Sequence, residues 1–257
     1  MKFLEFWRRE ADRFQAIVFD IDGTLLRGPH QLPGAAELLG EVRFQKKPLF
    51  FLTNDGDHTL EQKCSFLIRA GLTARPDEII NCLSGLESQA EKHDWVGRTF
   101  FAAGELGELE RVSCVKLERD LGRLEHCAGV ILSEGVYDWR VNWEAIVNFF
   151  RRHPERLFIV PNPDGYWPSP SNGVFGIGAG GQARCIQLIL KEMGVEIEPI
   201  YLGKPHAAIY EHTLYELERR FGVAPEPERI LMLGDSLASD VRGANRAGFT
   251  SALVLTG

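Results

Sequence analysis

Short apolar runs that break off at polar residues restrict the folds open to this chain. Ala16-Ile-Val-Phe-Asp20 stops at an acid, Pro48-Leu-Phe-Phe-Leu-Thr53 at Thr-Asn, and Arg229-Ile-Leu-Met-Leu-Gly234 at Gly-Asp; Ser251-Ala-Leu-Val-Leu255 is a fourth run. Runs without alternation suit strands covered on both faces, as in a parallel sheet. Helical patterns fall between them, over residues 35–44, 60–70, 209–221 and 240–247. The alternation predicts an α/β fold on a doubly wound parallel sheet. Polar residues at the carboxyl ends of such strands converge on one crevice, so Asp20, Thr53 and Asp235 are expected to meet.

Residues 85–200 read as a second α/β unit, with strands at 98–102, 129–132 and 157–160 and a helix at 143–152. At roughly 115 residues it is large enough to be a domain of its own. The stretch from Pro161 to Pro170 is rich in turn formers and carries Tyr166 and Trp167, as a contact loop does.

The formal net charge of -7 makes nucleic acid and anionic membranes poor partners. Five scattered cysteines with no C-x-x-C pair suit reduced thiols and a cytoplasmic protein. The first residues lack the apolar core of a signal peptide, and no apolar run approaches the roughly 20 residues of a membrane span. They read instead as an amphipathic helix packed on the body.

Chemistry concentrates at Asp20-Ile-Asp22-Gly-Thr24, where two carboxylates straddle a strand end before a glycine turn. One can serve as nucleophile and the other as general acid/base. A calcium loop needs Glu at its twelfth position, which here holds Gln31, and a helix where this chain has a strand. Further along stand Thr53-Asn54, Gly203-Lys204-Pro205 and Gly234-Asp235 followed by Asp240.

These four motifs, in this order, resemble the haloacid dehalogenase superfamily over nearly the whole chain. The gap between the first two is too short for a cap domain, whereas that between the second and third has room for one. This is the arrangement of the class IIA, NagD-like phosphatases. Leu32-Pro-Gly-Ala-Ala36 and Pro161-Asn-Pro-Asp164 look similar to that class too. The resemblance implies a core of residues 1–84 and 201–257, and an inserted C2-type cap over 85–200. It implies that Asp20 attacks phosphorus to give an aspartyl phosphate, and that Asp22 protonates the leaving oxygen and later deprotonates water. Thr53 and Asn54 would bind phosphate, and Lys204 would neutralise charge. Asp20, the Asp22 carbonyl and Asp235 would hold magnesium, with manganese as a substitute. Asp240 would support them or pair with Lys204. In the cap, Asn162 and Asp164 are the candidate substrate contacts, and Trp139 and Trp143 are aromatics for stacking or packing.

Four carboxylates and a phosphate then face a single lysine. A like pair 4 Å apart repels by about 4 kcal/mol at an effective dielectric of 20, which calls for a cation. Asp55 stands where many relatives carry Asn; a carboxylate there would weaken phosphate affinity or point outward, and the second is the expectation. The chain ends at Leu255-Thr-Gly257, earlier than many relatives, and a homo-oligomer stays open. The expected activity is hydrolysis of small phosphate esters, of sugars, nucleotides, glycolate or pyridoxal. A phosphomutase, a phosphotransferase and a non-catalytic phospho-acceptor are the alternatives. Gly176 to Gly181 fits G-x-G-x-x-G, but it does not open the first βαβ unit and reads as a turn into a helix.

Overall fold

The computed structural model describes residues 3–107, 114–168, 174–222 and 224–256. In chain order the elements are α1 (Phe3–Glu10), β1 (Ala16–Asp20), β2 (Leu26–Arg27), β3 (His30–Gln31), α2 (Ala35–Phe44), β4 (Leu49–Thr53), α3 (Leu60–Arg69) and β5 (Ile79–Asn81). There follow α4 (Leu86–Lys92), β6 (Thr99–Ala103), β7 (Lys116–Glu118), β8 (Gly129–Leu132), α5 (Trp139–Arg152), β9 (Leu157–Val160), β10 (Tyr166–Pro168), β11 (Phe175–Ile177), α6 (Ala179–Glu192) and β12 (Ile200–Tyr201). The last are α7 (Ala207–Phe221), β13 (Ile230–Gly234), α8 (Arg242–Arg246) and β14 (Thr250–Leu253).

The chain divides into two compact units. The first comprises Met1–Thr53, Leu60–Asn81 and Lys204–Gly257, and the second Asn54–Thr59 and Cys82–Gly203. The first unit holds a parallel sheet in the order β14-β13-β1-β4-β5. Every residue of β1, β4 and β13 is buried, which is why these strands read as unbroken apolar runs. In register, Asp20 stands beside Leu52 and Phe19 beside Leu233, so β1, β4 and β13 end together. Helix α1 packs by Trp7, fully buried and stacked on Phe14 at 6.2 Å.

The second unit has its own parallel sheet, β12-β9-β8-β6-β7. Helices α5 and α6 cover it through Ile146, Phe149, Phe150, Ala183 and Ile186. Helix α5 starts at Trp139, four residues before the sequence pattern suggests, because the Asp138 side chain accepts from Val141 N at 3.1 Å and caps the helix there. Part of the Pro161–Pro170 stretch is the antiparallel hairpin strand β10, paired with β11; residues 169–173 lie outside the described ones, as does Gly257. Among the described residues, no helix is long and apolar enough to cross a membrane.

Candidate active site

The sharp end of β1 builds the centre of the first unit. Gly23 adopts φ +95°, and a Cβ there would collide with the Asp235 carboxylate, so only glycine lets these two strand ends approach. Gly234 has the same relation to Asp240. Lys204, almost fully buried, donates to Asp20 Oδ1 at 2.6 Å, to Asp240 Oδ1 at 2.7 Å and to the Leu52 carbonyl at 3.1 Å. Thr24 Oγ1 donates to Asp20 Oδ2 at 2.8 Å. Asp240 is fixed from its other side by Ser236 N, which donates to Oδ2 at 3.0 Å. The helix expected from Asp240 begins instead with a wide turn over Leu237–Val241, and α8 proper starts at Arg242.

Burial pushes the Asp20 carboxyl well above the usual carboxylate range. Repulsion from Asp240 and Asp235 adds to the shift, and Lys204 only partly opposes it. Burial and Asp240 likewise raise Asp235. For Lys204, burial works against the charge, yet Asp20 and Asp240 outweigh it and the ammonium is held charged.

Asp22 lies apart from this cluster. Its carboxylate is 56% exposed and accepts from Lys63 Nζ at 2.6 Å. The expectation of a single lysine among the acids therefore fails: Lys63 is a second cation. Nothing in the sequence separates Lys63 from an ordinary solvated lysine, except that it falls on the apolar stripe of α3 with Cys64 and Leu67.

Thr53, buried at the end of β4, belongs to the first unit, whereas Asn54, Asn162, Asp164, Asp55, Trp139 and Trp143 lie in the second. Asn54 Nδ2 donates to Asp164 Oδ2 at 3.0 Å. Asn162 donates to Glu134 Oε1 at 2.6 Å and accepts from Asp164 N at 2.9 Å, so both ends of its amide are engaged. Asp55 does not point outward: its side chain is 20% exposed and bonds to His58 Nδ1 at 2.9 Å. Its Oδ1 also accepts from Asp57 N and His58 N, each at 3.2 Å, which makes Asp55 the acceptor of a tight turn. Trp139 and Trp143 stack on each other at 5.9 Å.

Glu134 was not foreseen. Burial first, then Asp57, pushes its carboxyl from 4.5 to about 8, and among the described residues its Oε2 has no hydrogen-bond partner. The folded chain thus keeps a proton that the unfolded chain releases near pH 4.5. Stability is expected to fall as pH rises from about 4.5 to about 8, then level off. Glu134→Gln should flatten that fall and gain on the order of 4 kcal/mol at pH 8, read from urea midpoints across pH.

A haloacid dehalogenase-like hydrolase model matches residues 17–118, and a second, HAD-hydrolase-like, matches residues 201–257. The chain belongs to the haloacid dehalogenase-like hydrolases. It is 27% identical over 252 residues to chronophin of Rattus norvegicus, covering 95% of this chain and 77% of that one. To the acid sugar phosphatase of Staphylococcus epidermidis it is 25% identical, over 95% and 87% of the two chains. Among solved structures, NagD from E. coli superposes with a TM-score of 0.78 at 22% identity, over 95% and 88% of the chains, and so shares the fold.

In this hydrolase one oxygen from each of Asp20, Asp235 and Asp240 lies within 4.8 Å of the others, the only such trio among the described residues. The donors are all hard oxygens, and Asp20 and Asp235 repel one another. Both facts fit a small divalent cation such as magnesium. The Asp22 carboxylate is not part of the trio.

Proposed function

We propose that this hydrolase cleaves small phosphate monoesters with magnesium, and that its first unit is the catalytic core and its insert the substrate-reading cap. The observation that carries the reading is Asp20 at the end of β1, gripped by Lys204 at 2.6 Å and Thr24 at 2.8 Å beside two further carboxylates. A bound cation supplies charge neutralisation for the phosphate and the acids around it.

Lys204 and Thr24 hold the Asp20 carboxylate in one orientation, so it meets phosphorus in line with the leaving oxygen. Thr53 and the chain at Asn54 bind the phosphate oxygens. A bond forms between Asp20 and phosphorus as the ester P–O bond breaks, and Asp22 gives its proton to the departing oxygen. In the second half Asp22 takes a proton from water, the water oxygen bonds to phosphorus, and Asp20 is released as a carboxylate. Asn162 and Asp164 are assigned to reading the leaving group. The relatives named as phosphatases support the reaction class, and the acid sugar phosphatase supports a small polyol ester.

Release of inorganic phosphate from a panel of small esters, led by p-nitrophenyl phosphate, tests the reading. Steady release with magnesium or manganese, lost on chelation, is expected. Full activity with metal content verified as zero contradicts it, and transfer to an acceptor without phosphate release points to a phosphotransferase.

A further inference from the structure

Lys63 occupies a place that packing alone does not favour. It is the fourth residue of α3, where the positive end of the helix dipole disfavours a cation. It is also 95% buried by its 5% residual exposure, and a buried ammonium is costly unless paired. Its neighbours on the same stripe, Cys64 and Leu67, are apolar core residues. A 2.6 Å bond from Lys63 Nζ to Asp22 Oδ2 offsets this cost.

Asp22 needs such a partner. Its side chain is more than half exposed, and among the described residues its carboxylate bonds to Lys63 alone. An exposed, singly held carboxylate would otherwise sample several rotamers. General acid catalysis requires the proton within hydrogen-bond reach of the leaving oxygen, about 2.6–3.2 Å, and a misplacement near 1 Å costs about a hundredfold.

We infer that Lys63 is a positioning residue that clamps Oδ2 of Asp22 and so presents Oδ1 to the leaving oxygen. The inference rests on the reading of Asp22 as the acid. With Oδ2 tied to the ammonium, the proton that moves to the leaving group travels from Oδ1. As the phosphorus–oxygen ester bond breaks, that proton and the bond's electron pair leave together as an alcohol. Asp22 is left as a carboxylate still paired with Lys63, ready to accept the water proton on the same Oδ1.

The test compares kcat/KM, which reports steps up to phosphoryl transfer, on two esters. p-Nitrophenyl phosphate has a leaving group that departs without a proton, whereas a simple alkyl phosphate needs one. Lys63→Met is expected to raise the ratio of kcat/KM on the first ester to that on the second by about tenfold or more. A merely structural role would lower both alike and leave the ratio unchanged. Asp22→Asn, run in parallel, is expected to raise the ratio by about a hundredfold or more. In the Asp22→Asn background, Lys63→Met should leave the ratio where it is, because the two residues act as one unit.

If Asp22→Asn leaves the ratio at the wild-type value, the acid is misassigned and the reading of the site fails. If Asp22→Asn raises it and Lys63→Met does not, the positioning role is overturned and the site reading stands. Should the Met variant fail to fold, Lys63→Gln carries the same comparison, since its shorter side chain falls short of the carboxylate.

Discussion

Replacing Asp20 with asparagine is expected to remove turnover, by on the order of a thousandfold or more, while the chain stays folded. The amide has no charged oxygen to attack phosphorus. The variant should also be no less stable than the wild type in metal-free buffer. Asp20 is buried, and burial together with Asp240 and Asp235 holds its carboxyl well above the usual range. An asparagine of the same shape relieves that repulsion and leaves Lys204 paired with Asp240 at 2.7 Å. Reactive sites commonly trade stability for function in this way. Steady-state kinetics and a thermal melt read the two effects separately. Activity within tenfold of wild type would falsify the covalent step.

Lys204→Met is expected to be damaging on both counts. The Lys204 ammonium is the shared partner of two buried carboxylates. Removing one member of a buried ion-pair cluster costs about 3–5 kcal/mol, because the remaining charge is left without compensation. Turnover should fall by at least about a hundredfold, since Asp20 loses the contact that orients it. Urea unfolding in metal-free buffer checks the first effect and ester hydrolysis the second. A variant as stable as wild type would show that Asp20 and Asp240 find another way to shed their charge. The contrast with Asp20→Asn is informative: one substitution removes repulsion and the other removes attraction, at the same atoms.

The strands that position this site were legible because burial on both faces leaves a plain mark. β1, β4 and β13 have no solvent-facing residue to interrupt them, and each stops where a polar group is needed. Asp20, Thr53 and Asp235 could be named because strand ends are one-dimensional features, whereas Lys204 came only with the resemblance to the family. Short elements were not legible. β7, β10, β11 and β12 have two or three residues each, too few for a period to show. Lys63 and Glu134 were missed for a different reason. Whether a charged side chain is buried depends on its neighbours in space, and Lys63 meets Asp22 across 41 residues of chain. Glu134 lies just past β8, beside Ser133, whose Oγ donates to Asp57 Oδ1 at 3.1 Å, and no local pattern couples those segments. Asp55 departs from the expectation because the donors it caps, Asp57 N and His58 N, are brought to it by a turn that only the folded backbone defines.

The place of β1 between β4 and β13 has a consequence for how the protein is made. A ribosome adds about 5–20 residues per second, so β13 is finished roughly 10–40 s after β1. Lys204 follows Asp20 by 184 residues, and Asp240 follows Lys204 by a further 36. The intervening unit, Cys82–Gly203, is complete in sequence before any of these partners has been synthesised, and it can fold in the meantime. The nascent chain thus carries Asp20 without its charged partners for most of its synthesis. Thr24 is made together with Asp20, but Lys204, Asp235 and Asp240, the charged groups around it, arrive only with the last quarter of the polypeptide.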